Sequence, residues 1–233
     1  MLFVPVWDQN PLKQVRFQYV TVGIIVLNVA IFFGLETNLI FPVPAGLIEA
    51  LSPKPEQVVP WEAFLQHLSG QYRLLTYMFL HGSVLHLLFN MLFLFVFGDN
   101  VEDAMGHFRF ILFYLACGIL GALVYSLMSD YPEVPLIGAS GAVSGVIGAY
   151  LVLHPNIRVW VLVPFPKLPF IPLRFSAAIV IGVWILYQAV SAIFFPSQAI
   201  AWPAHVGGFF AGILLVAIMK RREVPLFDAA TGE

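Results

Sequence analysis

From Phe175 to Met219 the chain contains no Asp, Glu, Lys or Arg. A helix needs about 20 apolar residues to cross a bilayer core, so this run is far too long for one crossing. The segment from Phe195-Pro196-Ser197 to Trp202-Pro203 breaks it into two. The remainder of the chain has the same character: hydrophobic residues make up 60% and charged residues 10%, where a soluble domain carries about 25% charged. The chain therefore reads as an all-α polytopic membrane protein, with length for one compact bundle.

Four further apolar runs complete the set. They are Phe17–Leu35, a run centred on Val84–Phe97, Phe110–Met128, and one from Ser140 to His154-Pro155. Six spans result. The first is followed by Thr37–Tyr72, which holds Pro42, Pro44, Pro53, Pro55 and Pro60 and short amphipathic pieces such as Trp61–Leu68. It is long for a connection and is expected to be an ordered cap or interfacial element. Asn156–Arg174, with Pro164, Pro166, Pro169 and Pro172, reads as a moderately basic loop whose aromatic residues anchor it at the interface. The division expected is a cytoplasmic segment 1–15, a six-helix membrane domain 16–219 and a cytoplasmic tail 220–233. The N-terminus has no basic n-region and no small-residue cleavage site. Cys117 is the single cysteine, so no intrachain disulfide can form, and it reads as a small buried apolar residue. A net charge of -2 excludes a nucleic-acid footprint.

With six spans, the termini and the second and fourth connections share one side. They hold Lys13, Arg16, Arg109, Arg158, Lys167, Arg174, Lys220, Arg221 and Arg222, against Lys54 and Arg73 on the other. Basic residues concentrate on the cytoplasmic side, so both termini are expected there. Spans two, four and six then run inward from the outer face. His81 and His86 open span two, Ser140 opens span four and His205 opens span six, all at a comparable depth.

Polar residues in a span are costly unless paired or lining a wet cavity. Asn90 follows His86 by four and shares its helix face. A serine hydroxyl becomes nucleophilic at neutral pH beside a base, and neutral imidazole is the usual one. Attack on a carbonyl develops an oxyanion that needs donors already aimed at it; the Asn90 amide, a His86 N–H and the Ser140 backbone N–H are candidates. The stretch I-G-A-S-G-A-V-S-G-V-I-G-A-Y, Ile137–Tyr150, is dense in glycine, which costs a helix about 1 kcal/mol per residue relative to alanine. Gly138 and Gly141 fit a demand for space around Ser140. Gly145 and Gly148 fit close packing against Gly207, Gly208 and Gly212 of the last span, which would bring His205 to Ser140.

Other chemistries fit less well. His81 and His86 are five apart and diverge on a helix, and H-E-x-x-H is absent, so no metal is expected. A soluble-hydrolase nucleophile elbow would need glycine at Ala142 and a preceding strand. A transporter is disfavoured by the lack of an inverted repeat.

G-A-S-G at 138–141, A-H-V-G-G-F-F-A-G at 204–212 and H-G-S-V-L-H-L-L-F-N at 81–90 resemble the signatures of rhomboid intramembrane serine proteases. Tyr72-Arg73 ahead of His81, and Glu102 after span two, also resemble supporting positions of that family. The resemblance implies a six-helix rhomboid-like bundle with a long structured first loop. It implies a Ser140 nucleophile and a His205 general base, with His86 and Asn90 stabilising the oxyanion. His81 would be a structural hydrogen-bonding residue, Arg73 would brace the first loop and Glu102 the second-span exit. Gly138, Gly141, Gly208 and Gly212 would give close approach. The family cleaves peptide bonds in or beside transmembrane segments, reached by water from outside, with no cofactor or metal. Transmembrane proteins and the lipid bilayer are thus the expected partners. Separately, with no extra span or targeting presequence read in the sequence, a prokaryotic plasma membrane is the expected location. The alternative is an inactive rhomboid-like protein that binds transmembrane clients; such relatives typically lack the serine or the histidine, and this chain keeps both. One position departs: Ser144 stands where some members carry an aromatic that stacks on the catalytic histidine.

Overall fold

The computed structural model describes residues 3–36, 50–54, 72–131, 133–165 and 168–227. Most of the expected cap over Thr37–Tyr72, including Trp61–Leu68, lies outside the described residues, as does the tail from 228. Six helices carry the described chain: α1 (Tyr19–Glu36), α2 (Val84–Met105), α3 (His107–Met128), α4 (Ser140–Leu153), α5 (Ala177–Phe194) and α6 (Trp202–Met219). A turn of helix at Arg73–Thr76 runs into a 3₁₀ turn at Tyr77–Phe79 ahead of α2. The helices α2, α3, α5 and α6 are long and apolar enough to cross a membrane; the apolar part of α1, Tyr19–Leu35, and α4 are shorter. Helices suit hydrocarbon because they satisfy their own backbone polar groups.

α4 is the axis of the bundle. Every residue from Gly141 to Tyr150 is buried, as expected of a helix that is apolar all round. Its glycines set how near α6 can come. A Cβ on Gly208 would land on the Gly141 carbonyl oxygen, one on Gly212 on the Gly145 carbonyl, and one on Gly148 on the Phe209 carbonyl. The pairing differs from expectation at Gly207, which faces Val124 of α3 instead.

The fold is mostly helical but not all-α, and Asn156–Arg174 is not a loop. β2 (Arg158–Phe165) and β3 (Leu168–Ser176) form an antiparallel hairpin, and β1 (Val4–Asp8) pairs antiparallel with β2, giving the order β1-β2-β3. Val159 and Val161 supply the reason: they alternate, are β-branched, and are buried against the bundle. Pro169 and Pro172 are tolerated because β3 is an edge strand, where Pro172 faces Leu162 without a second partner strand, and Pro164 falls at the register shift between Val163 and Phe165. Trp160 lies under the Arg174 guanidinium, 5.0 Å from its ring centre.

The sheet closes the end of the bundle where α2 turns into α3 and α6 terminates. The Asp103 carboxylate accepts the backbone N–H groups of Lys13, Gln14 and Val15 at 2.9, 2.6 and 2.6 Å. Glu102, fully buried, accepts from Val20 N–H, Thr21 N–H and the Thr21 hydroxyl at 3.0, 2.7 and 2.7 Å. It thereby satisfies donors that the first turn of α1 would otherwise leave orphaned. Gly106, at φ 82°, reverses the chain between α2 and α3. Beside it, Arg221 N–H reaches Ala104 O at 2.8 Å. The Tyr150 hydroxyl donates to Asp8 at 2.5 Å, tying β1 to the far end of α4.

Candidate active site

Ser140 is the first residue of α4 and follows Gly138, whose φ of 107° only glycine adopts without strain. His205 lies one turn into α6, which starts at Trp202-Pro203. Because α4 and α6 meet through glycine, the two side chains touch: His205 Nε2 is 2.9 Å from Ser140 Oγ. If the serine donates, Nε2 carries no hydrogen and Nδ1 must carry it. Gln188 of α5 places its Oε1 2.9 Å from Nδ1, an acceptor for that hydrogen. Trp202 presents itself edge-on to the imidazole at 6.1 Å between ring centres, and its own indole N–H is fixed on Phe195 O at 3.1 Å. Ser144 is turned into its own helix, donating to Ser140 O at 2.6 Å.

His86 and Asn90 lie on one face of α2 and come together at the same place. The Asn90 Nδ2 donates to His86 O at 3.1 Å, which leaves the second amide hydrogen for another acceptor. A Cβ on Gly138 would sit 2.5 Å from His86 Nε2 and 3.6 Å from Asn90 Nδ2. Both side chains are therefore pressed against the segment leading into Ser140. Gly141 approaches the Tyr77 hydroxyl, which donates to Gly118 O at 2.7 Å. His81 is buried behind the site, its ring 5.1 Å from that of His86, with Ala139 N–H facing its Nε2 at 3.5 Å. Arg73 donates through Nε to Ala50 O at 2.9 Å, beyond the site, and Glu102 lies at the opposite end of α2. Among the described residues no three His, Cys, Asp or Glu side chains gather as a metal site requires.

Ser140, His205, His86, Asn90 and Gln188 line one cavity of about 640 Å³. Its apolar arm is lined by Phe93 of α2 and Trp184 of α5, whose rings meet with their centres 6.3 Å apart. The arrangement supplies a hydroxyl, a base in contact with it, and amide and imidazole donors on the opposite wall. Gln188 is the site residue that the sequence reading missed. Its signal was slight: one of two amides in the charge-free run after Arg174, four residues after Trp184.

A family model for the rhomboid domain matches residues 69–222. The chain is 39% identical over 130 residues to rhomboid protease GluP of Bacillus subtilis, covering 54% of this chain and 23% of that protein. It is 31% identical over 152 residues to RHOMBOID-like protein 5 of Arabidopsis thaliana, covering 65% and 45%. RHOMBOID-like protein 2 of the same plant is 30% identical over 191 residues, covering 82% and 54%. The matched part of the chain thus spans about half the length of these relatives, or less.

Proposed function

The chain belongs to the rhomboid family, and from that premise we propose that it is an intramembrane serine endopeptidase acting on transmembrane proteins. The observation that carries this reading is the 2.9 Å contact of His205 Nε2 with Ser140 Oγ at the wall of an open cavity. Ser140 Oγ attacks the scissile carbonyl carbon while its proton passes to His205 Nε2. The tetrahedral oxyanion is met by the free Asn90 amide hydrogen, the His86 imidazole and the Ser140 backbone N–H. Collapse breaks the C–N bond, and the leaving amine takes the proton from the imidazolium. Water, deprotonated by the same nitrogen, then hydrolyses the acyl-enzyme. No cofactor or metal enters this sequence. The apolar wall that Phe93 and Trp184 form together gives a substrate segment an apolar bed in the same cavity as Ser140. Because the peptide must leave its helix to reach Ser140, small and helix-weakening residues near the cut are favoured.

The bundle is proposed to cross the membrane six times, with both termini cytoplasmic and the site opening outward. Fluorophosphonate labelling tests the chemistry. Label is expected on Ser140 and absent in Ser140→Ala and His205→Ala. Labelling of Ser140 unchanged by loss of His205 would overturn the dyad, and an unlabelled wild type would favour the client-binding alternative.

A further inference from the structure

We propose that Gln188 is the positioning residue for the base, holding His205 in its Nδ1–H tautomer and making that tautomer depend on how α5 is seated. The proposal rests on the Ser140–His205 reading and adds a third residue from a different helix. Its first support is geometric. The imidazole is held at both nitrogens, Nε2 by Ser140 Oγ and Nδ1 by Gln188 Oε1, each at 2.9 Å. Gln188 is 5% exposed. A buried N–H without an acceptor is costly, so Gln188 selects the tautomer in which Nε2 is free to take the serine proton. Ser144, bonded to Ser140 O, offers the ring nothing, and Trp202 touches it only edge-on. Gln188 is therefore what fixes the rotation of the ring.

The second support is the character of α5. Ala177, Val180, Ile181, Gln188 and Ser191 are its buried residues, whereas Ile179, Leu186, Ile193 and Phe194 are exposed. Beyond its first turns the buried residues of α5 are both polar, Gln188 and Ser191, while Trp184 and Ile185 pack half-buried against the bundle. Displacement of α5, which also walls the apolar arm of the cavity through Trp184, pulls the acceptor from Nδ1. An amide suits this depth because an ionised carboxylate inside a membrane protein is expensive. Among the described residues the charged form of His86 on α2 bears on His205, and the same cavity is faced by Tyr125 of α3 and Tyr187 of α5 beside Ser140, Ser144 and Gln188.

The test compares Gln188→Leu and Gln188→Glu in the full chain. Gln188→Leu should lower kcat by about 10-fold or more with KM nearly unchanged. Gln188→Glu keeps an acceptor at the same place. It should restore most of kcat and move the acidic limb of the kcat/KM–pH profile upward by about one unit, because a carboxylate favours the imidazolium. Wild-type kcat and an unshifted profile in both variants would overturn the proposal. Imidazole 15N shifts, assigned with His205→Ala, read the bond without any substrate. The Nδ1–H tautomer in wild type and a tautomer mixture in Gln188→Leu support it, and identical shifts in both overturn it. Cleavage that survives Ser140→Ala would instead sink the dyad reading, while the 15N measurement would still judge Gln188.

Discussion

Asp8 is a carboxylic acid held where water scarcely reaches, 7% exposed and capped by the Tyr150 hydroxyl at 2.5 Å. Burial pushes its pKa up to about 7, against the opposing pull of that hydrogen bond, and the Asp99 charge adds to the rise. Between about pH 4 and 7 the folded chain keeps a proton that the unfolded chain gives up. Stability from this group is therefore full below pH 4, falls as pH rises through 7, and levels above it. Asp8→Asn retains an acceptor for Tyr150 and cannot ionise. Its melting temperature in detergent should fall less than that of wild type between pH 4 and 8; parallel curves would show that Asp8 does not set the dependence. Nothing in the sequence marks Asp8, which sits beside Gln9 and Asn10 in what reads as a cytoplasmic N-terminal segment. Ser140 and His205 were legible because each lies among glycines and small residues that a lone structural polar residue does not need. Gln188 was not, since a single amide in an apolar run names no partner until the helices are placed.

The helices were legible from charge. Arg16 and Glu36 bracket the first apolar run, and the gap after Arg174 could be cut only at its prolines. The observed helix starts at Ser140, Ala177 and Trp202 follow those cues. The hairpin was hidden because its pairing partner β1 is distant in sequence and its prolines imitate loop composition. Among helix pairs, α4–α6 has the least tolerance. Gly212→Ala puts a methyl group onto the Gly145 carbonyl oxygen, with backbone that cannot yield. Overpacking of this kind costs about 1–3 kcal/mol, and it should also draw His205 away from Ser140. Gly182→Ala on α5 and Gly23→Ala on α1 meet nothing within 4 Å and should be neutral or gain up to about 1 kcal/mol. Thermal unfolding in detergent, paired with Ser140 labelling, checks the contrast. A harmless Gly212→Ala would mean that the helices are not held apart by that single carbonyl.

Across the whole molecule the two ends differ. One gathers the N-terminal segment on Asp103, the α2–α3 turn, the sheet and the end of α6, where Arg109 Nη1 lies 3.4 Å from Lys220 O. The other carries the Ser83 cap of α2, the start of α4 at Ser140, and Arg73 bound to Ala50 O. The first end holds the basic residues, so it should face the cytoplasm. Trypsin applied outside intact cells should then spare the tail from 220 and cut it in inside-out vesicles; trimming from outside would invert the topology.

The sheet also sets an order of assembly. Val4 pairs with Leu162, and Asp8 pairs with Val159. β1 leaves the ribosome ahead of β2 and must therefore wait for a partner that emerges after α4 has been made. Until then its unpaired edge stands open, and the earlier helices must enter the membrane without it. Closure of this seam is a late, long-range event of the kind that slows folding. β1 is thus a latch, fastened only after α4 is in place.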